Sequence, residues 1–370
     1  MTSGAFVGSN LRLIRLFHGY SLTDLGERVG VSKQFLSRVE TGAEAVSAAL
    51  EDEFCSVLQV LPEFFRFVDP HPIADEQCHF RRQLTTKVSL RQVGRARGEM
   101  LKRLVGVLEQ HVDLPPYRIE EAEPESPETI ERSAEKFRSR FSLGMGPLSN
   151  MTRIAENAGA VVMQVGGLPN EIDAVSFATQ RPVIALNAEG KSACRQRFGI
   201  AHEIGHLGLH IGVLTGDRLT ESQANRFASA LLMPRATFAA EFRKVLRGTR
   251  LNWSEMANTK RRWGVSKAAL LYRGHQLGLL DESQLRSGYI FLKRHGEALV
   301  ENEDALMPAE QPEVVSESLK VLREHYGMPQ AAVAKQLQVM SILLEGLLRQ
   351  PAAESRGNVV SLFSRSKIAT

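Results

Sequence analysis

Residues 197–210 read Arg-Phe-Gly-Ile-Ala-His-Glu-Ile-Gly-His-Leu-Gly-Leu-His, and this stretch contains a His-Glu-x-x-His pattern that could carry metal chemistry. Helical residues four apart lie on the same face, so His202 and His206 can reach one metal ion. Glu203 is turned about a quarter of the circumference away, where it can hold a water. The alternative is an ordinary helix with surface or core histidines.

A catalytic zinc site uses this set of residues. Zinc with three protein ligands keeps its fourth position for a water and lowers the pKa of that water to about 7. A neighbouring carboxylate then takes the proton as the hydroxide attacks a peptide carbonyl. We therefore predict that His202 and His206 bind Zn²⁺ and that Glu203 is the catalytic base. A His/His/Glu site also tolerates Mn²⁺.

The third ligand must come from elsewhere in the chain. His210 lies eight residues past His202, about 12 Å along a helix axis, which is too far for one ion. Glu221 extends an apolar helical stripe backwards by one turn, and a buried carboxylate is costly unless it is paired or binds a metal. The stripe consists of Ala224, Phe227, Ala228, Leu231 and Leu232. Glu221 is the predicted third metal ligand.

Two alternatives to this assignment stay open. Thr220 and Gln223 form a capping-box pattern, and the helix dipole favours any glutamate in a first turn, so Glu221 could be a capping residue only. Asp217 is the fallback ligand.

Residues 25–42 read Leu-Gly-Glu-Arg-Val-Gly-Val-Ser-Lys-Gln-Phe-Leu-Ser-Arg-Val-Glu-Thr-Gly. Two serines can cap short helices here, and a glycine can end each helix. The predicted helices are 22–29, capped by Ser21 and ended by Gly30, and 33–40, capped by Ser32 and ended by Gly42.

Apolar residues lock these two helices at a fixed angle, which lets the second helix enter a major groove. The apolar residues are Leu25, Val29, Val31, Leu36 and Val39, and the predicted contacts to double-stranded DNA are Lys33, Gln34, Ser37 and Arg38. Arginine and lysine suit guanine edges or phosphates, and glutamine suits adenine. The alternative is a helical pair used for protein contact or dimerisation.

Composition narrows the class of protein. At 370 residues the chain should form two or three domains, and no apolar run approaches the roughly 18 residues of a membrane helix. The first residues lack a secretory signal, and three distant cysteines make no disulfide framework, so we expect a cytoplasmic protein. Positive charge concentrates in residues 81–103, which is typical either of a polyanion-binding patch or of a solvated helix face.

Element patterns predict five segments. They are a helix-turn-helix domain at 8–70, a basic helix and an acidic, proline-rich linker at 79–127, a metallopeptidase domain at 128–280, a helical region at 281–350 and a flexible tail at 351–370. The helical region repeats the apolar spacing of residues 25–39 at an offset of 308, with Val333, Leu337, Val339, Leu344 and Leu347. A helix-turn-helix-like unit and a plain helical hairpin both explain this repeat.

Two stretches carry a family resemblance. Residues 197–210 and 221–234, supported by 173–177 and 182–187, resemble the ImmA/IrrE metallopeptidases. That resemblance implies an α+β, zincin-like domain, with zinc on His202, His206 and Glu221 and with Glu203 as base. Residues 11–42 resemble the Xre/Cro-type helix-turn-helix, and depart from it at Leu22, where that family often has a glutamine that contacts DNA.

The resemblance implies a function as well as a fold. Members of the ImmA/IrrE family are associated with the cleavage of repressor proteins in mobile-element, phage, toxin-linked or stress and defence settings. We therefore expect a mainly α, multidomain, homodimeric transcription regulator, with an all-α helix-turn-helix bundle, whose zinc endopeptidase domain cleaves a partner repressor or itself. The alternative is a non-proteolytic repressor or antitoxin whose metal domain is structural or a sensor. A fourth protein ligand on the metal would favour that alternative.

Overall fold

The computed structural model describes residues 4–80, 88–166, 174–187 and 191–348. The predicted tail 351–370 and the basic residues Arg81, Arg82 and Lys87 lie outside the described residues. The chain is mainly helical, with one small mixed sheet and a helix-turn-helix region at the N-terminus, and this confirms the predicted fold class. Within the described residues, no helix combines the length and the apolar character that crossing a membrane requires.

Helices account for most of the described elements. They are α1 Gly8–Phe17, α2 Leu22–Val29, α3 Lys33–Glu40, α4 Ala48–Leu58, α5 Val88–Glu109, α6 Pro127–Arg140, α7 Met151–Asn157, α8 Ala193–Leu209, α9 Arg218–Leu232, α10 Arg235–Phe242, α11 Trp253–Trp263, α12 Lys267–Gln276, α13 Glu282–Arg294, α14 Val314–His325, α15 Gln330–Gln336 and α16 Ser341–Leu348. The strands are β1 Cys78–Phe80, β2 Val161–Val165, β3 Ala174–Phe177, β4 Val183–Asn187, β5 Leu246–Arg247 and β6 Arg250–Leu251.

The caps predicted for α2 and α3 are confirmed. The Ser21 side chain accepts a hydrogen bond from the Asp24 backbone N–H, and the Ser32 side chain accepts one from Phe35. Gly30 ends α2 in the left-handed conformation, with φ of 71°. The two helices also meet closely at Gly26, where an added Cβ would lie 2.5 Å from the carbonyl oxygen of Val31.

The four-stranded sheet separates two apolar cores. Its strand order is β1-β3-β4-β2; β2 and β4 are parallel and the other pairs are antiparallel. One face, with Val175 and Phe177, packs against the N-terminal helices, α5 and α14–α16. The other face, with Ile184 and Leu186, packs against α6–α9 and the helices that follow. Because both faces are covered, β2, β3 and β4 are buried along their whole length rather than at alternate residues.

The basic stretch differs from its prediction. We expected a helix from residue 79, but residues 78–80 form β1 and the helix α5 begins at Val88. Two cations of α5 form ion pairs within the chain: Arg95 pairs with Asp75 at 2.7 Å on the surface, and Lys102 pairs with Asp69 at 2.7 Å. Part of the positive charge in the described stretch is therefore balanced by neighbouring carboxylates.

The C-terminal helices repeat the geometry of the first three at the offset of 308 noted in the sequence. Helices α14 and α15 end at His325 and Gln336, as α1 and α2 end at Phe17 and Val29, and α16 begins at Ser341 as α3 begins at Lys33. The turns match too, since Gly19 and Gly327 have φ of 75° and 59°, and Gly30 and Gln338 have φ of 71° and 61°. This unit packs on the N-terminal one, where the N–H of Leu61 donates to the Gln338 carbonyl at 2.8 Å.

The contact at Gly26 generates a stability prediction. Gly26→Ala places a methyl group against the Val31 carbonyl and should destabilise the helix-turn-helix by about 1–3 kcal/mol. Gly106→Ala is the matched control, because an added Cβ at this exposed position of α5 meets nothing within 4 Å. Urea unfolding followed by circular dichroism measures both variants. Equal midpoints for the two would contradict the close approach.

Candidate metal centre

Helices α8 and α9 bring the three predicted metal ligands together. The Nε2 atoms of His202 and His206 lie 3.0 Å apart, and the Glu221 carboxylate oxygens lie 3.5 Å from His202 Nε2 and 3.4 Å from His206 Nε2. Both imidazoles are fully buried, and the Glu221 side chain is 16% exposed. Within the described residues, these three form a group that could hold a metal ion.

The spacing of these donor atoms suits one ion. Ligand atoms about 2.0–2.1 Å from a tetrahedral centre lie roughly 3.3 Å from one another. The two nitrogens lie 3.0 Å apart, and each has a different oxygen of the Glu221 carboxylate 3.4 or 3.5 Å away, which is close to that spacing. Two nitrogens and one carboxylate oxygen are also a donor set that zinc accepts.

The start of α9 explains why Glu221 points inward. Asp217 is the N-cap of α9, and its side chain accepts hydrogen bonds from the backbone N–H groups of Leu219 and Thr220. The helix therefore begins at Arg218, and Glu221 lies one turn inside it rather than at the cap. The fallback ligand Asp217 caps the helix and lies outside the three-residue group.

Each imidazole is oriented through its other nitrogen. His202 Nδ1 lies 3.0 Å from Asn225 Oδ1, an acceptor, so Nδ1 carries the proton and donates it. The Nε2 lone pair of His202 then faces the group. Such contacts behind a ligand set its tautomer and its ring orientation.

His206 is oriented by a longer relay. The Gln223 amide nitrogen donates to the Pro124 carbonyl at 3.0 Å, so its oxygen accepts from His210 Nε2 at 2.9 Å. His210 Nδ1 then carries a lone pair and accepts from His206 Nδ1 at 3.0 Å. Burial lowers the pKa of His210, which keeps it neutral as the relay requires. The relay leaves the His206 Nε2 lone pair pointing at the group.

Glu203 follows His202 directly on α8, between the two histidines of the group. Its carboxylate is fully buried and accepts a hydrogen bond from the Ser176 hydroxyl at 2.5 Å. Ser176 is on β3, which α8 packs against. The strand therefore holds the carboxylate in place while its partners on α8 and α9 face one another.

A fourth histidine covers the group. The His79 ring stacks on the His206 ring, with centroids 5.1 Å apart and planes 8° apart. Its Nδ1 lies 3.0 Å from the Thr215 hydroxyl, and the side chain is fully buried. Burial lowers the pKa of His79 well below its usual range. His79 is not one of the residues grouped as possible ligands.

The four predicted DNA-contacting residues lie together on α3. Lys33, Gln34, Ser37 and Arg38 are all exposed, while Leu36 and Val39 on the other face are buried. Arg38 is partly used within the chain, because its Nε lies 3.0 Å from a carboxylate oxygen of Glu44.

The corresponding face of the C-terminal unit has a different chemistry. The positions equivalent to the four on α3 are Ser341, Ile342, Glu345 and Gly346. Ile342 is 60% exposed and Glu345 is exposed, and no cation stands at these positions. This helix lacks the charge that holds phosphates.

Sequence reasoning missed the residues that support the group. Ser176, His79, Asn225, Gln223 and the carbonyl of Pro124 all act from outside the His-Glu-x-x-His pattern. Ser176 carried a signal, because it is the one polar side chain in an otherwise apolar strand. His79 carried none, since it stands in a short segment between a loop and a basic stretch.

Two buried imidazoles and an inward carboxylate on paired helices, with a second carboxylate beside them, define a metallopeptidase-like domain. Residues 155–275 match the M78 peptidase family, described as the IrrE N-terminal-like domain. Residues 7–63 match a family described as a helix-turn-helix domain. The chain therefore carries a helix-turn-helix domain and, after it, an IrrE N-terminal-like domain. No curated protein sequence matches the chain.

The buried, neutral histidines predict a pH effect on the metal-free protein. A histidine whose pKa is lowered by folding stabilises the fold fully above its unfolded pKa of about 6.5, and this contribution is lost as pH falls below that value. Replacing His210 by glutamine should therefore reduce the loss of unfolding free energy between pH 7.5 and 5.5, by at most about 1.4 kcal/mol per pH unit.

Urea unfolding in EDTA at the two pH values measures this effect. His275→Gln is the control, because it makes the same substitution at an exposed position of α12, away from the buried histidines. Identical pH dependence in the wild type and in His210→Gln would show that His210 is not held neutral.

Proposed function

We propose that this chain is a DNA-binding transcription regulator with a zinc-dependent endopeptidase domain, the two units spanning 8–70 and 128–280. The observation that carries the proposal is that three hydrogen-bond acceptors point at the same small space. Two imidazole lone pairs, each set by a hydrogen bond behind its ring, and a carboxylate face one another within 3.5 Å. Lone pairs and negative charge at this spacing repel unless a cation lies between them.

In this proposal His202, His206 and Glu221 hold the ion, with Zn²⁺ or Mn²⁺ as candidates. A bound ion of this kind supplies an acidic water that is a nucleophile near neutral pH. Glu203 is the base that takes the proton of that water and later returns it to the leaving amine. Ser176 donates to one carboxylate oxygen of Glu203 and so restricts the rotation of that carboxylate.

The DNA-binding end supports the regulatory half of the proposal. The exposed polar residues of α3 suit an operator in double-stranded DNA, and the helix-turn-helix match supports DNA binding. Since α16 lacks cations, one chain presents one recognition helix, and a palindromic operator needs two copies. We therefore propose a homodimer. The protein substrate is a partner repressor or the chain itself.

Burial of the centre favours a second candidate function. His202, Glu203 and His206 have no exposed surface, which suits a structural or sensing metal domain in a non-proteolytic repressor or antitoxin. The presence of Glu203 favours the peptidase, because a site that only stabilises the fold has no use for a base beside the metal. The peptidase is therefore the function that we propose.

Substitutions should distinguish the proposed roles of the two carboxylates, Glu203 as base and Glu221 as metal ligand. Glu203→Gln should keep one metal ion per chain and lower hydrolysis about 10²–10⁴-fold, because only the base is removed. Glu221→Ala should lower the bound metal itself. Elemental analysis and the digestion of an unstructured protein such as casein measure the two effects.

Glu282→Gln is the control for both variants, because this glutamate is exposed on α13. Undiminished hydrolysis by Glu203→Gln would remove Glu203 from the mechanism. Full metal occupancy in Glu221→Ala would move the third ligand to another residue.

The DNA contacts can be tested with a matched pair of triple variants. Replacing Lys33, Gln34 and Arg38 by alanine should weaken binding to a duplex selected by the wild type from a random pool. The salt dependence should also fall, by about 0.9 in log–log slope for each phosphate that the variant no longer neutralises. The control replaces the equivalent residues Ser341, Ile342 and Glu345, and should bind as the wild type does. Equal affinities for the two triple variants would place the DNA-binding surface elsewhere.

A further inference from the structure

The candidate centre is closed to a peptide in the structure. His202, Glu203 and His206 are fully buried, so a substrate reaches them only if a neighbouring segment moves. Residues 77–80, named here the cover segment, lie along the outer edge of β3 beside the centre. They belong to the connection between the helix-turn-helix domain and α5.

The cover segment pairs with β3 as a peptide would. Its strand β1 runs antiparallel to β3, with Cys78 opposite Phe177 and His79 opposite Ser176. The pairing continues one residue further, where the Ala178 N–H donates to the Gln77 carbonyl at 2.8 Å. The Gln77 side-chain amide also donates to the Ala178 carbonyl at 3.0 Å. Backbone pairing of this kind accepts any extended sequence, which makes a strand edge a general peptide-binding surface.

Side chains of the cover segment reach the reactive groups. Residues directly opposite in an antiparallel pair project to the same face, so His79 lies on the face from which Ser176 contacts Glu203. There the His79 ring stacks on the His206 ring. Among the described residues, the buried Nε2 of His79 has no hydrogen-bond partner. The segment therefore fills the space over one proposed metal ligand and next to the proposed base.

We propose that the cover segment occupies the place of the substrate backbone and holds the peptidase closed until it leaves the edge of β3. The inference rests on the proposed peptidase function. It makes the chain its own inhibitor, with His79 as the residue that blocks the centre. The partner that displaces the segment is an extended polypeptide able to pair with β3.

The segment is short, lies at the edge of the sheet and has space beside it. β1 has three residues and is an edge strand, and short edge elements open at low free-energy cost. Beside it lies a cavity of about 950 Å³ between α1, α5 and the residues that precede α9. Asp75, Cys78 and Thr215 line this cavity, which gives the segment space to shift, with Cys78 leaving the first apolar core as it does so.

A reversible disulfide tests the proposal in the intact chain. Gln77 and Ala178 face each other across the strand pair, and facing residues of this kind have Cα atoms about 5.5 Å apart, within disulfide range. The variant Gln77→Cys/Ala178→Cys, with Cys78→Ala to prevent mispairing, should form a bond that holds the segment down. The same protein, reduced with a phosphine, is its own control.

Two readouts separate access from catalysis. The first is the rate at which a chelator removes zinc from the loaded protein, and the second is the digestion of casein. Oxidation should slow both at least about tenfold, and reduction should restore both. Each single cysteine variant should be insensitive to oxidation and reduction.

An opening variant perturbs the segment in the opposite direction. His79→Pro removes a backbone donor from the middle of β1 and should raise both rates above those of the wild type. His79→Ala keeps the strand and removes only the ring over His206, so it should raise both rates less. If His79→Pro does not fold, the disulfide and His79→Ala still decide the question.

The outcomes distinguish this inference from the proposed function. If the chelator removes zinc at the same rate from the oxidised and the reduced protein, the cover segment does not control access to the centre. Full casein digestion by the oxidised protein overturns the inference too, while the peptidase itself stands. Faster zinc removal on opening without any digestion supports the cover segment and contradicts the peptidase.

Discussion

The structure depends on one constraint: two imidazoles and a carboxylate, all hydrogen-bond acceptors, are held close together inside the protein. The two Nε2 atoms lie 3.0 Å apart, and a carboxylate lies within 3.5 Å of each, with both imidazoles out of water. Burial of such a set without compensation costs several kcal/mol. The hydrogen bonds behind the rings, to Asn225 and through His210 to Gln223, direct the lone pairs inward rather than apart. The arrangement suits the binding of a cation.

The rest of the fold keeps that arrangement rigid. Helix α8 is buried along most of its length between the sheet and α9, so its histidines have no freedom to turn away. The acidic segment before α6, a linker by composition, is packed rather than free: the Ala122 N–H donates to the Gly208 carbonyl at 2.9 Å, and Pro124 ends the relay behind His206. The apolar core on the sheet face that carries Val175 and Phe177 joins the helix-turn-helix domain to the C-terminal unit.

Local chemistry explains which features could be predicted from the sequence. The caps Ser21 and Ser32 act on backbone groups three residues away, and the spacing of His202 and His206 lies on one helix, so both are visible in a short window. Glu221 was predictable because its helix has an apolar stripe that points to it. The repeat at an offset of 308 was also visible, as a spacing of apolar residues.

Contacts between distant segments could not be predicted in this way. A strand of three residues such as β1 has no periodicity of its own, and its partner β3 follows about a hundred residues later. The cations of α5 suggested an open basic face because their acidic partners, among them Asp69 and Asp75, belong to a different segment. The relay from His206 to Pro124 joins three separate segments, and one of its ends is a backbone carbonyl, which has no sequence signature.

X-ray absorption at the zinc edge of the purified, zinc-loaded chain measures the ligands of the proposed metal centre. We expect one ion per chain with two imidazole nitrogens, oxygen from one carboxylate, and a solvent ligand that a hydroxamate displaces. A chain that takes up no stoichiometric metal would contradict this expectation. So would a first shell of four protein ligands that no added ligand can enter.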